Sequence, residues 1–381
     1  MTTRKDTARP TDANVGRRRF LKTTGAAVAL GAAASTVGAP FVSDRAKAAT
    51  TTWKVQTSWP AGVGLATFKA WCATIIEKTG GELEFKPFAA KEVVGDFELL
   101  DGVKNGVLEA MNSFTLYWAG KLPATAFLSS YLMGLRVPHE WDIFFYSVGG
   151  LQAARDVFAK QGMHYVNRIH HGPNIIHSKV PIRSIEDFKD LKLRVPGGMI
   201  AEGFAAIGAK TTLLPGGEVF SALEKGTIDA ADYTGPAVNW DLGFQQVTKY
   251  IWTGPVGLES IYQPVDLMDL VVNMNVWNKL SPKMQVWLND EVQLYSNVHH
   301  AAIQKADMET WPKFVQAGTT IIRMPVEDLD KFQRIAVPIW FKWANKDKDA
   351  AHIFKLQLQV MESPTFGYVT PDMYKGLKID L

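Results

Sequence analysis

The sequence has 381 residues, of which 47% are hydrophobic and 21% are charged, and this composition excludes a disordered, collagen-like or low-complexity chain. The single cysteine, Cys72, excludes an internal disulfide framework, a cysteine-rich zinc site and a CxxC redox motif. Nine of the 41 Lys and Arg residues and three of the 38 Asp and Glu residues lie in residues 1–48. Residues 49–381 therefore carry a net charge of −3, which does not favour nucleic acid as a partner.

Residues 1–48 have the pattern of an export signal. A basic segment, RRRFLK at residues 17–22, precedes a short apolar run rich in Ala and Gly, and Ala46-Lys47-Ala48 offers the small residues of a cleavage site. The twin arginines followed by Phe-Leu-Lys resemble the twin-arginine (Tat) motif of proteins that cross the membrane already folded. The alternative is an uncleaved anchor, but the apolar run is shorter than the roughly 20 residues that span a bilayer. We predict cleavage near Ala48 and a soluble, exported chain.

The mature chain opens with an α/β pattern. Residues 53–58 alternate as a strand, residues 59–62 form a Pro-containing turn, and apolar residues then recur at helical spacing until Thr79-Gly80-Gly81 ends the helix. Residues 83–88 form the next strand. This strand–helix–strand order predicts α/β layering.

An internal repeat is the most informative feature of the organisation. Residues 98–110 (ELLDGVKNGVLEA) and residues 218–230 (EVFSALEKGTIDA) match without a gap. Each copy predicts a short amphipathic helix, a Gly at its C-terminal cap and the beginning of a strand. The alternative is chance similarity between two helix–Gly–strand units. We interpret the repeat as two α/β lobes of similar construction.

The C-terminal third predicts long helices. Ser281 and Pro282 predict the N-cap and first residue of a helix, whose apolar face continues to about Thr310, before Trp311-Pro312. At 1.5 Å per residue such a helix is about 43 Å long, so we expect it to brace both lobes. Residues 326–361 are helical again, and their aromatic residues must be covered by the same lobe or by a second chain.

Several polar residues are candidates for a site in the cleft between the lobes. Arg194 ends an apolar strand and is followed by Pro-Gly-Gly and a helix, a combination that favours an anion. Asp229 and Asp232 lie three apart and so face opposite sides of a strand, and the periodicity does not decide which one faces the cleft. Glu259 lies in a loop, and Asn174 follows His-His-Gly-Pro where we expect the chain to cross between lobes.

The pattern of residues 191–236 resembles the extracytoplasmic solute-binding subunits of TRAP transporters (the DctP-type family), and most closely the branch that binds 2-oxo and 2-hydroxy monocarboxylates beside a metal ion. The resemblance extends over essentially all of the mature chain, including TSWP at residues 57–60 and YWAGK at residues 117–121. It implies a two-lobed, periplasmic-binding-protein-like α/β fold with a hinged cleft. The boundaries that we expect are residues 49–173 with about 261–305 for lobe I, residues 174–260 with about 306–340 for lobe II, and about 341–381 for a C-terminal helical region.

The resemblance also implies roles for individual residues. Arg194 matches the arginine that binds the substrate carboxylate in the family's L-[KR]-x-R-x-P-G motif. The metal ligands would be the side chain of Asp232, the backbone carbonyl of Tyr233 and Glu259. Asn174 stands where the family has a glutamine that contacts both metal and substrate, and its amide is shorter. The aromatic wall of the cleft would include Phe114, Tyr117 and Trp59.

The charges of the expected site predict a cation. Asp232, Glu259 and Arg194 sum to −1, and a bound monocarboxylate makes the sum −2, which is costly to bury unless a cation enters. A divalent ion would neutralise the site, whereas sodium would leave −1. Oxygen ligands favour Ca²⁺ among the divalent ions, with Na⁺ as the alternative.

The function that we predict is capture of a small monocarboxylate in the periplasm and its delivery to an integral-membrane TRAP permease, with homodimerisation through the C-terminal helices as a further implication of the resemblance. The alternative is a Tat-exported enzyme acting on a small organic acid. The sequence has no HExxH, GxSxG or GK[ST] motif, so we predict no enzymatic activity. It leaves the substrate side chain open between pyruvate, lactate, a branched keto acid and an aromatic keto acid.

Overall fold

The computed structural model describes residues 49–381, and the predicted export signal at residues 1–48 lies outside the described residues. No helix of the described chain combines the length and apolar character that a membrane span requires. The strands are β1 (Thr51–Thr57), β2 (Leu83–Phe88), β3 (Ala110–Ser113), β4 (Met163–Gly172), β5 (Ile175–Ser178), β6 (Lys192–Arg194), β7 (Lys210–Thr212), β8 (Ala230–Tyr233), β9 (Tyr250–Thr253), β10 (Asp266–Asn273) and β11 (Thr320–Arg323). The helices are α1 (Gly62–Lys78), α2 (Leu99–Lys104), α3 (Pro138–Tyr146), α4 (Gly150–Ala159), α5 (Gly198–Ala206), α6 (Val219–Glu224), α7 (Pro236–Asp241), α8 (Phe244–Val247), α9 (Met274–Trp277), α10 (Pro282–Gln316), α11 (Glu327–Ala344) and α12 (Lys348–Met361).

The strands form two mixed sheets. Sheet I has the order β2-β1-β3-β10-β4, and sheet II has the order β11-β9-β5-β8-β6-β7. In sheet I, β10 pairs antiparallel with both β3 and β4, and in sheet II β5 pairs antiparallel with both β8 and β9. Each sheet thus has one antiparallel strand between strands that run the other way. The prediction of α/β layering is confirmed.

The described chain divides into two compact units. One consists of residues 49–51 and Ile75–Leu83, in which the Thr51 N–H donates to the Glu82 carbonyl and the Thr79 hydroxyl donates to the Ile75 carbonyl. The other, Thr52–Thr74 with Glu84–Leu381, contains almost all of the two sheets and every residue discussed below as part of a site.

Three segments connect the two sheets. Pro173 and Asn174 join β4 to β5, the loop after β9 returns the chain to β10, and α10 leads from the end of sheet I to β11 of sheet II. Helix α10 packs against β4 and against α7, so it braces both halves as expected. The predicted end before Pro312 is wrong, because the helix continues through this proline to Gln316. A proline removes one N–H but does not force a break, and the left-handed Gly318 follows the end instead.

The internal repeat corresponds to two matching structural units. In each copy a short 3₁₀ turn leads into a six-residue helix, α2 or α6, and then into a strand, β3 or β8. Gly106 and Gly226 occupy equivalent places with φ of 75° and 71°, a backbone conformation that favours glycine. The two copies of the repeat therefore form equivalent structural units, so their similarity in sequence does not arise by chance.

The aromatic residues of α11 and α12 are covered by their own chain. Trp340 and Phe354 are fully buried, and Trp340 Nε1 donates to the Leu132 carbonyl at 2.7 Å. Gln357 Nε2 donates to the Phe127 carbonyl at 2.6 Å. Of the two alternatives for covering these aromatic residues, coverage within the chain is the one observed, so the residues themselves give no reason to expect a second chain.

Candidate functional site

The Arg194 side chain is held in one position by backbone carbonyl groups. It ends β6, its side chain is buried, and its Nε and Nη2 donate to the Leu214 carbonyl at 3.0 and 2.8 Å while Nη1 donates to the Asp232 carbonyl at 2.7 Å. Its guanidinium carbon lies 5.3 Å from the centre of the Tyr233 ring. These bonds use three of the five N–H donors of an arginine, so one N–H group on each of Nη1 and Nη2 is left for a ligand. A planar group held in this way is prepared for the bidentate contact that a carboxylate makes.

Asp232 is a buried carboxylate without a hydrogen-bond partner. It lies in β8 opposite Ile176, it is fully buried, and neither side-chain oxygen accepts a hydrogen bond. Burial raises the pKa of Asp232 well above its usual range, the charge of Arg194 opposes the rise, and Asp266 adds to it. The other candidate, Asp229, pairs at the surface with Lys192. The structure therefore decides the question that periodicity left open, since Asp232 is the inward acid.

A second buried acid, Asp266, lies beside Asn174. The Asn174 Nδ2 group donates to Gln263 Oε1 at 3.1 Å and to Asp266 Oδ2 at 3.4 Å, and His171 Nε2 lies 3.4 Å from the same Asp266 oxygen. Ser129 donates to the other Asp266 oxygen. The Asn174 Oδ1 atom is buried and accepts no hydrogen bond. Two carboxylates and a free amide oxygen thus lie next to one guanidinium.

Aromatic residues line a small cavity from both sheets. Phe114 and Tyr117 line it from the sheet I side, and Tyr233 lines it from the sheet II side. Burial raises the pKa of Tyr117 to about 12, although the positive charge of Arg194 opposes the rise. Trp59 is fully buried and does not line the cavity, because it lies edge-on against Phe114 at 5.7 Å between ring centres. Its role is to support the wall from behind.

The cavity brings together most, but not all, of the predicted residues. Arg194 and Asn174 line it with Asp266, and its volume is about 20 Å³, near the space that one water molecule needs. Asp232 and Glu259 are not among the lining residues. Asp232 is buried close enough to Arg194 and Asp266 for their charges to act on its carboxyl group. The side chain of Glu259 is exposed, in a turn where the Gly254 N–H donates to the Glu259 carbonyl at 2.8 Å. The acid that the chain supplies here after β9 is Asp266, the first residue of β10.

Sequence reasoning missed Asp266, although a signal was present. The segment PVDLMDLVVN places two acids, Asp266 and Asp269, in a strand that is otherwise apolar, and both are buried. A carboxylate in a buried strand requires a local reason, whereas an acid in a loop such as Glu259 does not. Gln263, which contacts Asn174, had no sequence signal of its own, whereas His171 lies in the His-His-Gly-Pro segment that precedes Asn174.

A partly exposed ion pair joins the sheet I side to the sheet II side. Lys91, which follows β2, contacts Glu218, which precedes α6, at 2.5 Å, and both side chains are partly exposed. Asp96 lies behind this pair, and burial raises its pKa to about 6 while the charge of Lys91 opposes the rise. Exposed pairs of this kind stabilise by less than about 1 kcal/mol. The pair therefore contributes little to holding the two sides together.

The donor set fits a cation bound mainly by oxygen. Among the described residues there is no group of three or more His, Cys, Asp and Glu side chains that could hold a metal ion. The atoms without partners here, namely both oxygens of Asp232 and Oδ1 of Asn174, are acceptors, and hard cations such as Ca²⁺ or Na⁺ bind such oxygens. A transition-metal site rich in nitrogen or sulfur ligands is not present in residues 49–381.

Comparison with known proteins decides the family. The model of the bacterial extracellular solute-binding proteins, family 7 (DctP), matches residues 60–347. The chain belongs to this family. The resemblance inferred from residues 191–236 is confirmed, and so are the two-lobed fold class and the general function of solute binding.

Individual relatives agree with this assignment. The chain is 28% identical to the monocarboxylate 2-oxoacid-binding periplasmic protein all3028 of Nostoc sp., over 89% of this chain and 92% of that protein. A TRAP transporter solute-binding protein of Bordetella bronchiseptica, a dimer with copurified calcium and picolinate, superimposes with a TM-score of 0.76 at 23% identity and covers 84% of this chain and 94% of its own. A TRAP periplasmic solute-binding protein from Colwellia psychrerythraea with bound calcium and pyruvate superimposes with a TM-score of 0.74 at 22% identity. The match covers 84% of this chain and 98% of that protein. The solved structures show that this family member shares their fold.

Proposed function

We propose that the protein captures a small 2-oxo or 2-hydroxy monocarboxylate, together with a cation, and delivers it to a TRAP permease. The observation that carries the proposal is the juxtaposition of Arg194 with Asp232. The arginine is held by backbone carbonyls, with N–H groups left for an anion, and the carboxylate has two buried oxygens without partners. An anion site beside an anionic residue needs a cation between them.

The charge balance favours a divalent cation. Asp232, Asp266 and Arg194 sum to −1, as the predicted set with Glu259 did, and a bound monocarboxylate brings the sum to −2. We assign the cation to the Asp232 carboxylate and Asn174 Oδ1, with Asp266 in place of Glu259 and with the Tyr233 backbone carbonyl as the resemblance implies. The cation supplies the compensating positive charge when bound, and Ca²⁺ fits the oxygen ligands, with Na⁺ as the alternative.

The relatives support the substrate class. The Nostoc relative binds 2-oxo monocarboxylates, and the Colwellia structure holds calcium and pyruvate. Arg194 would supply the carboxylate contact, a cation held at Asn174 Oδ1 would meet the 2-oxygen of such an acid, and the aromatic wall would accept an apolar substituent. We propose binding without turnover, since the relatives that the chain matches are named as solute-binding proteins.

We further propose Tat-dependent export to the periplasm with cleavage near Ala48, and two lobes with the boundaries given above, which the crossover at Asn174 supports. For oligomerisation, the Bordetella dimer supports a homodimer, whereas the aromatic residues that suggested one are covered by this chain. Size-exclusion chromatography with light scattering would measure the state directly.

Calorimetry tests the proposal. Protein refolded after chelator treatment is titrated with pyruvate, L-lactate and L-alanine in Ca²⁺, in Na⁺ and in neither. We expect pyruvate or lactate to bind, and to bind more tightly with Ca²⁺. Equal affinity in all three conditions would reject the bridging cation. Tight binding of alanine without metal would indicate that Asp232 and Asp266 hold an ammonium group instead, and would reject the monocarboxylate.

A further inference from the structure

Leu116 reaches across the cleft. It lies in the turn Thr115–Trp118 on the sheet I side, its side chain is buried, and it lines the cavity. On the opposite side, α5 begins at Gly198, where a Cβ atom would lie 2.8 Å from Leu116 Cδ1. The leucine tip thus occupies the position that a side chain at residue 198 would need. Gly198 also has φ of +60°, so the close approach and the backbone both favour glycine.

The cavity lining is partly polar and partly apolar. Arg194, Asn174 and Asp266 supply charged and amide groups, whereas Leu116, Phe114 and Pro196 supply apolar surface. An acid whose carboxylate binds Arg194 and whose 2-oxygen points towards Asn174 leaves its substituent for the apolar residues. A second carboxylate would find no second cationic side chain, since Arg194 is the cationic residue among the lining residues in the described chain.

The whole cavity is small. Its volume of about 20 Å³ is near the minimum for one water molecule, so its lining side chains must move to admit any acid, and each added methylene requires a further displacement. Among the apolar lining residues, Leu116 is the flexible aliphatic one, while the others are a proline ring and aromatic rings that are packed from behind, as Phe114 is by Trp59.

We propose that Leu116 sets the upper size limit for the substrate substituent, so that the protein accepts acids with a methyl group and discriminates against branched or aromatic 2-oxo acids. This inference rests on the proposed function and specifies its substrate. Because one methylene in an apolar pocket changes binding by roughly 10- to 200-fold, the discrimination is measurable.

The test compares pyruvate, 2-oxobutanoate and 4-methyl-2-oxopentanoate by calorimetry in Ca²⁺. We expect the wild-type protein to bind pyruvate at least 10-fold more tightly than 4-methyl-2-oxopentanoate, and Leu116→Ala to reduce this ratio by at least 10-fold. Leu116→Met keeps the side-chain volume, so it should keep the ratio, and it serves if the alanine variant does not fold. Leu128→Ala is the matched control, since Leu128 is equally buried nearby but does not line the cavity.

The outcomes separate the two proposals. Wild-type protein that binds all three acids equally, a Leu116→Ala ratio that stays at the wild-type value, or a Leu116→Met ratio that collapses would each overturn the role of Leu116 and leave the substrate class intact. The same change in Leu128→Ala would attribute the effect to general loosening and would also overturn it. If none of the acids binds to any variant, the proposed function fails and the size limit fails with it.

Discussion

Replacing Arg194 by lysine tests the centre of the site. Lysine keeps the positive charge but loses the planar fork, so one of the two expected bonds to the ligand carboxylate is lost. A hydrogen bond from a charged donor contributes about 1.5–3 kcal/mol, and affinity should therefore fall by about 10- to 150-fold. The protein should also be less stable, because the Leu214 and Asp232 carbonyls lose donors that now lie at 2.7–3.0 Å.

The assay is calorimetric titration of pyruvate in Ca²⁺, with the thermal midpoint measured in parallel. Arg168→Lys is the control, because Arg168 is an equally buried arginine that donates to Ser296 and pairs with Asp142 away from the cavity. It should lower the thermal midpoint and leave affinity unchanged. An Arg194→Lys protein that binds within threefold of wild type, or an equal loss of affinity in the control, would refute the reasoning.

Three further substitutions give independent readings. Asp232→Asn removes the buried charge, so the dependence of ligand affinity on Ca²⁺ should disappear while the ligand-free protein becomes more stable at pH 7; a persistent Ca²⁺ dependence in calorimetry would place the cation elsewhere. Burial raises the pKa of Asp307 from 3.8 to about 7, so the folded state binds this proton more tightly than the unfolded state and the free energy of unfolding should fall as pH rises from about 4 to 7. Asp307→Asn should flatten this pH dependence in denaturant unfolding. An unchanged pH dependence would contradict the prediction. Gly216→Ala places a Cβ 2.1 Å from the Tyr233 hydroxyl and should cost about 1–3 kcal/mol of unfolding free energy, whereas Gly217→Ala, whose nearest neighbour would be 3.8 Å away, should cost less; equal losses would contradict the clash.

The sequence predicted those features that local signals determine. The repeated helix–Gly–strand unit, the long helix after Ser281 and the placement of Arg194 at a strand end all follow from residues close together in the chain. Their agreement with the structure has a simple cause, because capping, periodicity and glycine conformation act over a few residues. Asn174 was placed at the crossover for the same reason.

The features that depend on distant pairing were less predictable. Glu259 and Asp266 are seven positions apart, and only the pairing of β10 with β4, Asp266 opposite Gly172, brings the second one to the cavity. Similarly, the sequence alone does not distinguish Asp229 from Asp232, and only the pairing of β8 with β5 shows that Asp232 is the inward residue. The sequence predicts that the helix after Ser281 ends before Pro312, whereas α10, packed against β4 and α7, continues to Gln316.

The order of strands in sheet I has a consequence for how the chain folds. Strand β10 lies between β3 and β4 and hydrogen-bonds to both, yet it begins some 90 residues after β4 ends in the chain. Strands β3 and β4 do not pair with each other, so sheet I cannot join them until β10 has been synthesised as far as residue 273. Connections of such long sequence separation slow folding, and truncation before that point should leave an exposed, aggregation-prone edge.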